Sequence, residues 1–111
     1  MTSKKSDVLR GTLDLMILRI LGLQPMHGYG IAQRLEQVSG GEFGVSNGSF
    51  FPALYRLESK GWVRGWWGTS ENGRRARYYS LTAAGRRRLE VEKRNWDRIS
   101  LAIEKVLRAT S

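Results

Sequence analysis

From Val8 to Leu21, apolar residues recur at Leu9, Leu13, Met16, Ile17 and Ile20, the three-and-four spacing of an amphipathic helix. Leu15 and Leu18 fall on another side of the same helix. A helix with two apolar sides packs against two things, here its own core and a partner chain. Gln24-Pro25 ends this segment, and Met26-His27-Gly28 leads into a second helix from Tyr29 to about Val38, with Ile31, Ala32, Leu35 and Val38 inward and Gly40-Gly41 as its stop. A third helix starts at Ser46 or Ser49, either of which can cap it, and runs to Lys60 before Gly61. Pro52 is tolerated near a first turn but not mid-helix, so that start is open by a turn. Phe50, Leu54 and Leu57 are spaced to point into the core.

The period then changes. Trp62–Trp67 and Arg77–Leu81 are aromatic-rich runs around a stretch containing Asn72-Gly73, which reads as a hairpin. Thr82 caps a last helix that continues to about Arg108. Along it Leu89, Trp96 and Ile103 are seven apart, as are Glu92, Ile99 and Val106, a coiled-coil-like seam interrupted by Glu92 and Lys93. The order helix, helix, helix, hairpin, long helix predicts a mainly α protein with a small β-hairpin: a winged helix-turn-helix with a long C-terminal dimerisation helix. The division expected is a disordered tail at 1–6, a winged-helix DNA-binding domain at 7–81 and the dimerisation helix at 82–111.

Charge sharpens that expectation. Nineteen Lys and Arg against ten Asp and Glu give +9 and a pI near 10.7, the footprint of a polyanion binder. No helix pairs a basic face with a broad apolar one, which argues against a membrane surface. The apolar run near the start is broken by Asp14 and Arg19, so it reads neither as a signal peptide nor as a span, and a cytoplasmic protein is expected. The chain has no cysteine, which excludes disulfides, thiolate metal sites and Cys nucleophiles. His27 is the sole histidine and no carboxylate cluster accompanies it at metal spacing, so it reads as structural and no metal or cofactor is expected. Gly28-Tyr29-Gly30 is too short for a dinucleotide fingerprint, the acids are scattered, and no catalytic residues are expected.

In a winged helix the third helix enters the major groove and the basic hairpin lies along the backbone beside it. On that geometry Asn47, Gly48, Ser49, Phe51, Pro52, Ala53, Tyr55 and Arg56 are the outward-facing candidates, and Arg74, Arg75 and Arg77 would meet phosphates. Lys4 and Lys5 could add contacts from the tail. Arg86, Arg87 and Arg88 oppose the dipole at the start of the last helix, leaving phosphate contact and a hydrated face equally open. Alternation sends Trp66 and Trp67 to opposite faces of the hairpin, so one is a candidate for exposure on the wing. Leu9 and Leu13, with Leu89, Trp96, Ile99, Ile103 and Val106, are the dimer-interface candidates. The alternative to a sequence-specific regulator is an architectural protein that binds nucleic acid without regard to sequence.

The segments GTLDLMILRILGLQPMHGYGIAQRLE, SNGSFFPALYRLESKGWV and SENGRRARYYSLTAAGRRRL closely resemble the PadR family of bacterial transcriptional regulators, roughly from Leu9 to Leu107. The motifs that carry the resemblance are HGY before the second helix, GS-aromatic-aromatic-P-A-L-Y-R-L-E in the third, and RR-x-x-YY-x-LT-x-x-G on the wing's return. The length, with one C-terminal helix, looks like the family's short subgroup. The resemblance implies a homodimer joined by the last helix against the partner's N-terminal helix, and a repressor bound to double-stranded DNA at an inverted-repeat operator. It also allows a small aromatic effector between the subunits, with Trp96 the residue to wall it. Phe51 stands where many relatives carry tyrosine, so a phosphate contact through that hydroxyl is not carried over.

Overall fold

The computed structural model describes residues 3–44 and 47–110, with side chains from Gly11 to Gly44 and from Gly48 to Thr110. The side chains of Leu9, Lys4, Lys5 and Asn47 and the capping option at Ser46 lie outside what it describes. The elements are α1 (Ser3–Leu23), β1 (Met26–His27), α2 (Gly28–Val38), α3 (Asn47–Ser59), β2 (Val63–Thr69), β3 (Arg75–Leu81) and α4 (Ala83–Arg108). The backbone of Ser3–Ser6, expected in a disordered tail, belongs to the first turns of α1. No Gly or Pro interrupts those positions, and the two lysines there are good helix formers.

The core forms where the three short helices meet the sheet. Ile17, Leu18, Ile20 and Leu21 of α1, Ile31 of α2, and Phe50, Ala53, Leu54 and Leu57 of α3 pack with Val63, Tyr79 and Leu89. Two corrections to the expected inward set follow. Val38, the last residue of α2, is 61% exposed. Ala53, expected outside, is buried one residue before Leu54 on the same inner flank of α3. The stops behave as expected: beyond α3, Gly61 takes φ +78°, its N–H meets the Glu58 carbonyl, and the Trp62 N–H reaches back to the Leu57 carbonyl.

The sheet has three antiparallel strands in the order β1-β3-β2, one more than the aromatic runs suggest. The additional strand is two residues, Met26 paired with Tyr79 and His27 with Tyr78. Two residues are too short to show alternation. His27 also caps α2, its Nδ1 accepting from the Gly30 N–H at 3.0 Å, which is the structural role expected of it. The hairpin is closed by the Ser70 N–H donating to the Arg74 carbonyl at 2.7 Å, around Glu71-Asn72-Gly73. Gly73 alone of these takes the left-handed conformation, φ +74°, so Asn-Gly serves a turn that ends on a left-handed glycine rather than one with both residues at positive φ.

Thr82 caps α4 by accepting from the Gly85 N–H at 3.0 Å, and its hydroxyl donates to the Gly61 carbonyl at 2.7 Å, tying the last helix to the end of α3. The first half of α4 lies on α1, and Gly11 brings the two close to Glu92. Leu101 to Thr110 are all exposed, and the molecule measures 61 × 29 × 29 Å.

Candidate nucleic-acid interface

One stripe of α3 faces outward. Gly48, Pro52, Tyr55 and Ser59 are exposed at four- and three-residue intervals, with Ser49 exposed beside them. Pro52 brings no N–H to the Gly48 carbonyl four residues earlier, so the first turns of α3 hold together with one bond fewer. Tyr29, at the start of α2, extends this surface, also exposed. Arg74 and Arg75 are exposed on the wing.

Between α3 and the wing lies a cleft of about 360 Å³, whose walls include Tyr29, Phe51 and Tyr55 on the helical side and Trp67, Arg75 and Arg77 on the strands. Trp67 is the exposed tryptophan of the hairpin, at 56%. The Arg75 guanidinium lies 4.5 Å from its ring centre, within cation–π range. Trp66, on the opposite face, stacks on Tyr78 at 6.1 Å with an interplanar angle of 22°.

Three residues expected to reach outward are engaged elsewhere. Arg56 is ion-paired through Nη2 with Oδ1 of the buried Asp14 of α1, and its Nε is buried with no hydrogen-bond partner among the described residues. Its position follows from helical geometry: one step before Leu57, it leans towards the inner flank that faces α1. Burial pushes the Asp14 carboxyl above its ordinary 3.8, and the neighbouring Arg56 charge and hydrogen bond pull the other way.

Phe51 is half-buried against the core. Its ring lies 5.1 Å from Phe50, 5.6 Å from Tyr29 and 6.0 Å from Tyr55, over Gly28. A Cβ at position 28 would come within 2.7 Å of that ring, so glycine there is what lets α2 and α3 close. Phe51 therefore spans the outer face and the core.

Arg77 donates from Nη2 to Glu58 Oε2 of α3 at 2.5 Å, and its guanidinium lies near both the Trp67 and Tyr79 rings. The bond to Glu58 holds Arg77 further towards its charged form.

On α4, Leu89 is buried in the chain's own core, so its heptad position serves the fold rather than an exposed seam. Glu92 is buried too, ion-paired with Arg88 at 2.6 Å, which accounts for the acid that interrupts the seam. Arg88 also lies 4.7 Å from the Trp62 ring, so of the arginine triplet only Arg86 and Arg87 are exposed. Leu13 is partly buried against the core. Ile99 is half-buried, while Ile103 and Val106 are exposed on the projecting end, Val106 at 73%. Trp96 is 46% exposed, with a hollow of about 220 Å³ shared with Gly11, Leu15 and Glu92 on one side. On its other side is a larger apolar one of about 420 Å³ shared with Met16, Val38 and Phe43.

Four helices, a three-stranded antiparallel sheet and a basic hairpin beside the third helix define a winged-helix protein. The chain belongs to the transcriptional regulator PadR-like family, whose model matches residues 17–91. A PadR family transcription regulator from Clostridium difficile superposes with a TM-score of 0.73 at 32% identity, covering 86% of this chain and 97% of that one. A Streptococcus transcriptional regulator gives 0.80 at 30%, covering 91% and 97%. Among curated proteins, an uncharacterised protein X of Lysinibacillus sphaericus is 27% identical over 100 residues, 90% of this chain and 92% of that protein. An uncharacterised 37.1 kDa protein in transposon TN4556 of Streptomyces fradiae is 43% identical over 87 residues, 78% of this chain and 24% of that protein. The protein is a DNA-binding transcription regulator and not an enzyme. Among the described residues, no helix is long and apolar enough to cross a membrane, and no group of His, Asp or Glu is placed to hold a metal ion.

Proposed function

We propose that the protein is a homodimeric repressor that reads an inverted-repeat operator through the outward stripe of α3 and grips its backbone with the wing. The observation that carries this reading is the shared face: Gly48, Ser49, Pro52 and Tyr55 are exposed on α3 beside Arg74 and Arg75 on the wing. Asn47, one position before Gly48, begins the same helix. Small residues at a helix start allow close approach to base edges, and Ser and Tyr hydroxyls can meet phosphates or bases. Arg74 and Arg75 supply the sequence-independent attraction.

Dimerisation through α4 is supported by Ile103, Val106 and Leu107, which are apolar and exposed among the described residues along the projecting helix end. A two-fold pair would place two α3 helices in successive major grooves about one helical turn, ~34 Å, apart. Binding would then block polymerase. Trp96, between two hollows near that seam, is the residue against which a flat aromatic effector would stack, relieving repression by favouring one spacing of the heads over another. Quenching of tryptophan fluorescence by planar cationic dyes, lost in Trp96→Leu, tests that element.

Footprinting on genomic fragments enriched by the purified protein tests the main reading. Two protected half-sites of inverted sequence are expected. Uniform protection without a discrete site would favour the architectural alternative.

A further inference from the structure

We infer that Arg77 and Glu58 form a latch that sets the angle between the wing and the DNA-reading helix, and that Arg77 acts as a positioning residue rather than a phosphate contact. The inference rests on the reading that α3 and the wing share one DNA-facing surface. Arg77 leaves β3 on the side that faces α3, and its Nη2 donates to Oε2 of Glu58 at 2.5 Å across nineteen residues of sequence.

The rest of the local structure is arranged around that bond. Gly65 of β2 lies beneath it: a Cβ there would stand 2.8 Å from Arg77 Nη2 and 2.8 Å from Glu58 Oε2. Its neighbours on β2, by contrast, carry Arg64 and Trp66. The Arg77 guanidinium also lies near two rings, 5.6 Å from the centre of Trp67 and 5.8 Å from that of Tyr79. An ion pair alone at a half-exposed site contributes little, but one with two rings beside it and a glycine cleared for it holds a geometry. A wing already held at its binding angle need not be ordered when DNA arrives, so the latch acts on affinity through preorganisation.

The latch and a simple charge account predict opposite signs for one substitution. Glu58→Gln removes an acid from beside the interface and frees Arg77, so an account based on charge alone requires tighter DNA binding. The latch requires weaker binding. The probe is a short duplex enriched from random-sequence DNA by the parent protein, titrated at several salt concentrations.

Glu58→Gln is expected to bind this duplex about fivefold more weakly, with the parent's slope of log K against log salt. Because the chain has no cysteine, a nitroxide pair at Ser59→Cys and Asn72→Cys reports the helix-to-wing distance directly, and its distribution is expected to broaden with Glu58→Gln. Gly65→Ala, which alters no charge, is expected to broaden it as well. Binding by Glu58→Gln that is equal to or tighter than the parent's, or an unchanged distance distribution, overturns the latch. A slope reduced by about one in Arg77→Ala would also overturn it, since that marks a phosphate contact. A parent protein that enriches no duplex at all would instead strike the DNA-facing surface on which the latch rests.

Discussion

Arg56, on the helix offered to DNA, turns its guanidinium inward onto the buried Asp14 of α1. The pair fastens α3 to the helix on which α4 lies, so on the proposed reading it belongs to the scaffold behind the DNA-facing surface. Removing one partner of a buried pair leaves the other charge uncompensated. Arg56→Ala is therefore expected to lower stability by about 2–3 kcal/mol in urea unfolding. The salt dependence of DNA binding by the folded variant should stay at the parent's slope. A stable variant with a shallower slope would return Arg56 to the DNA face.

The same pair makes stability depend on pH in a direction that can be worked out. Burial raises the Asp14 carboxyl above 3.8, outweighing the opposing pull of Arg56, so the folded protein holds that proton more tightly than the unfolded chain. The resulting contribution is fully present below 3.8 and is lost as pH rises through the folded value. Measured in urea at a series of pH values, the stability of the parent minus that of Asp14→Asn should fall as pH rises above 3.8. Carboxylates remote from Asp14 cancel in that difference, and Glu92, whose charge also raises the Asp14 carboxyl, adds to the same trend. A difference that climbs with pH would reverse the assignment.

Arg75 sits exposed on the wing over Trp67, with no acid paired to it among the described residues. Arg75→Ala should weaken binding to an enriched operator and to random duplex by similar factors. The slope of log K against log salt should lose about 0.9, the value of one released phosphate contact. Unchanged binding would remove the wing from the interface.

The reach of sequence reasoning here follows from what each signal measures. Helical period located α2, α3 and α4 to within a few residues because their inner faces, such as Phe50, Leu54 and Leu57, are buried at helical spacing. The outward position of Gly48, Pro52 and Tyr55 followed by subtraction. The carboxylate partners of Arg56 and Arg77 were not legible for one reason: a lone arginine looks alike whether its partner is a phosphate or a carboxylate far away in the chain. Asp14 lies forty-two residues from Arg56 and Glu58 nineteen from Arg77, separations that no local pattern reports. A signal was available for the second pair in Gly65, a glycine inside a strand, which often marks a close approach of something else. Leu89 was misplaced because a heptad row does not say which chain it faces.

The projecting end of α4 gives the oligomer a direct test. Val106 and Ile103 are 73% and 51% exposed there. Val106→Asp, with Ile103→Asp as its companion, should convert a dimer to a monomer in sedimentation while leaving the helical content largely intact, because neither side chain packs in the chain's own core. DNA affinity should fall with it, since two linked heads bind more tightly than one. A parent protein that sediments as a monomer would remove the seam.

The central claim is that one face, made of the outward stripe of α3 and the wing, meets DNA, and amide NMR during titration with an enriched duplex tests it most directly. Shifts are expected at the amides from Gly48 to Tyr55 other than Pro52 and at those from Asn72 to Arg75, with little change from Leu101 to Thr110. Shifts centred instead on Arg86 and Arg87 at the start of α4, with α3 and the wing silent, would contradict it.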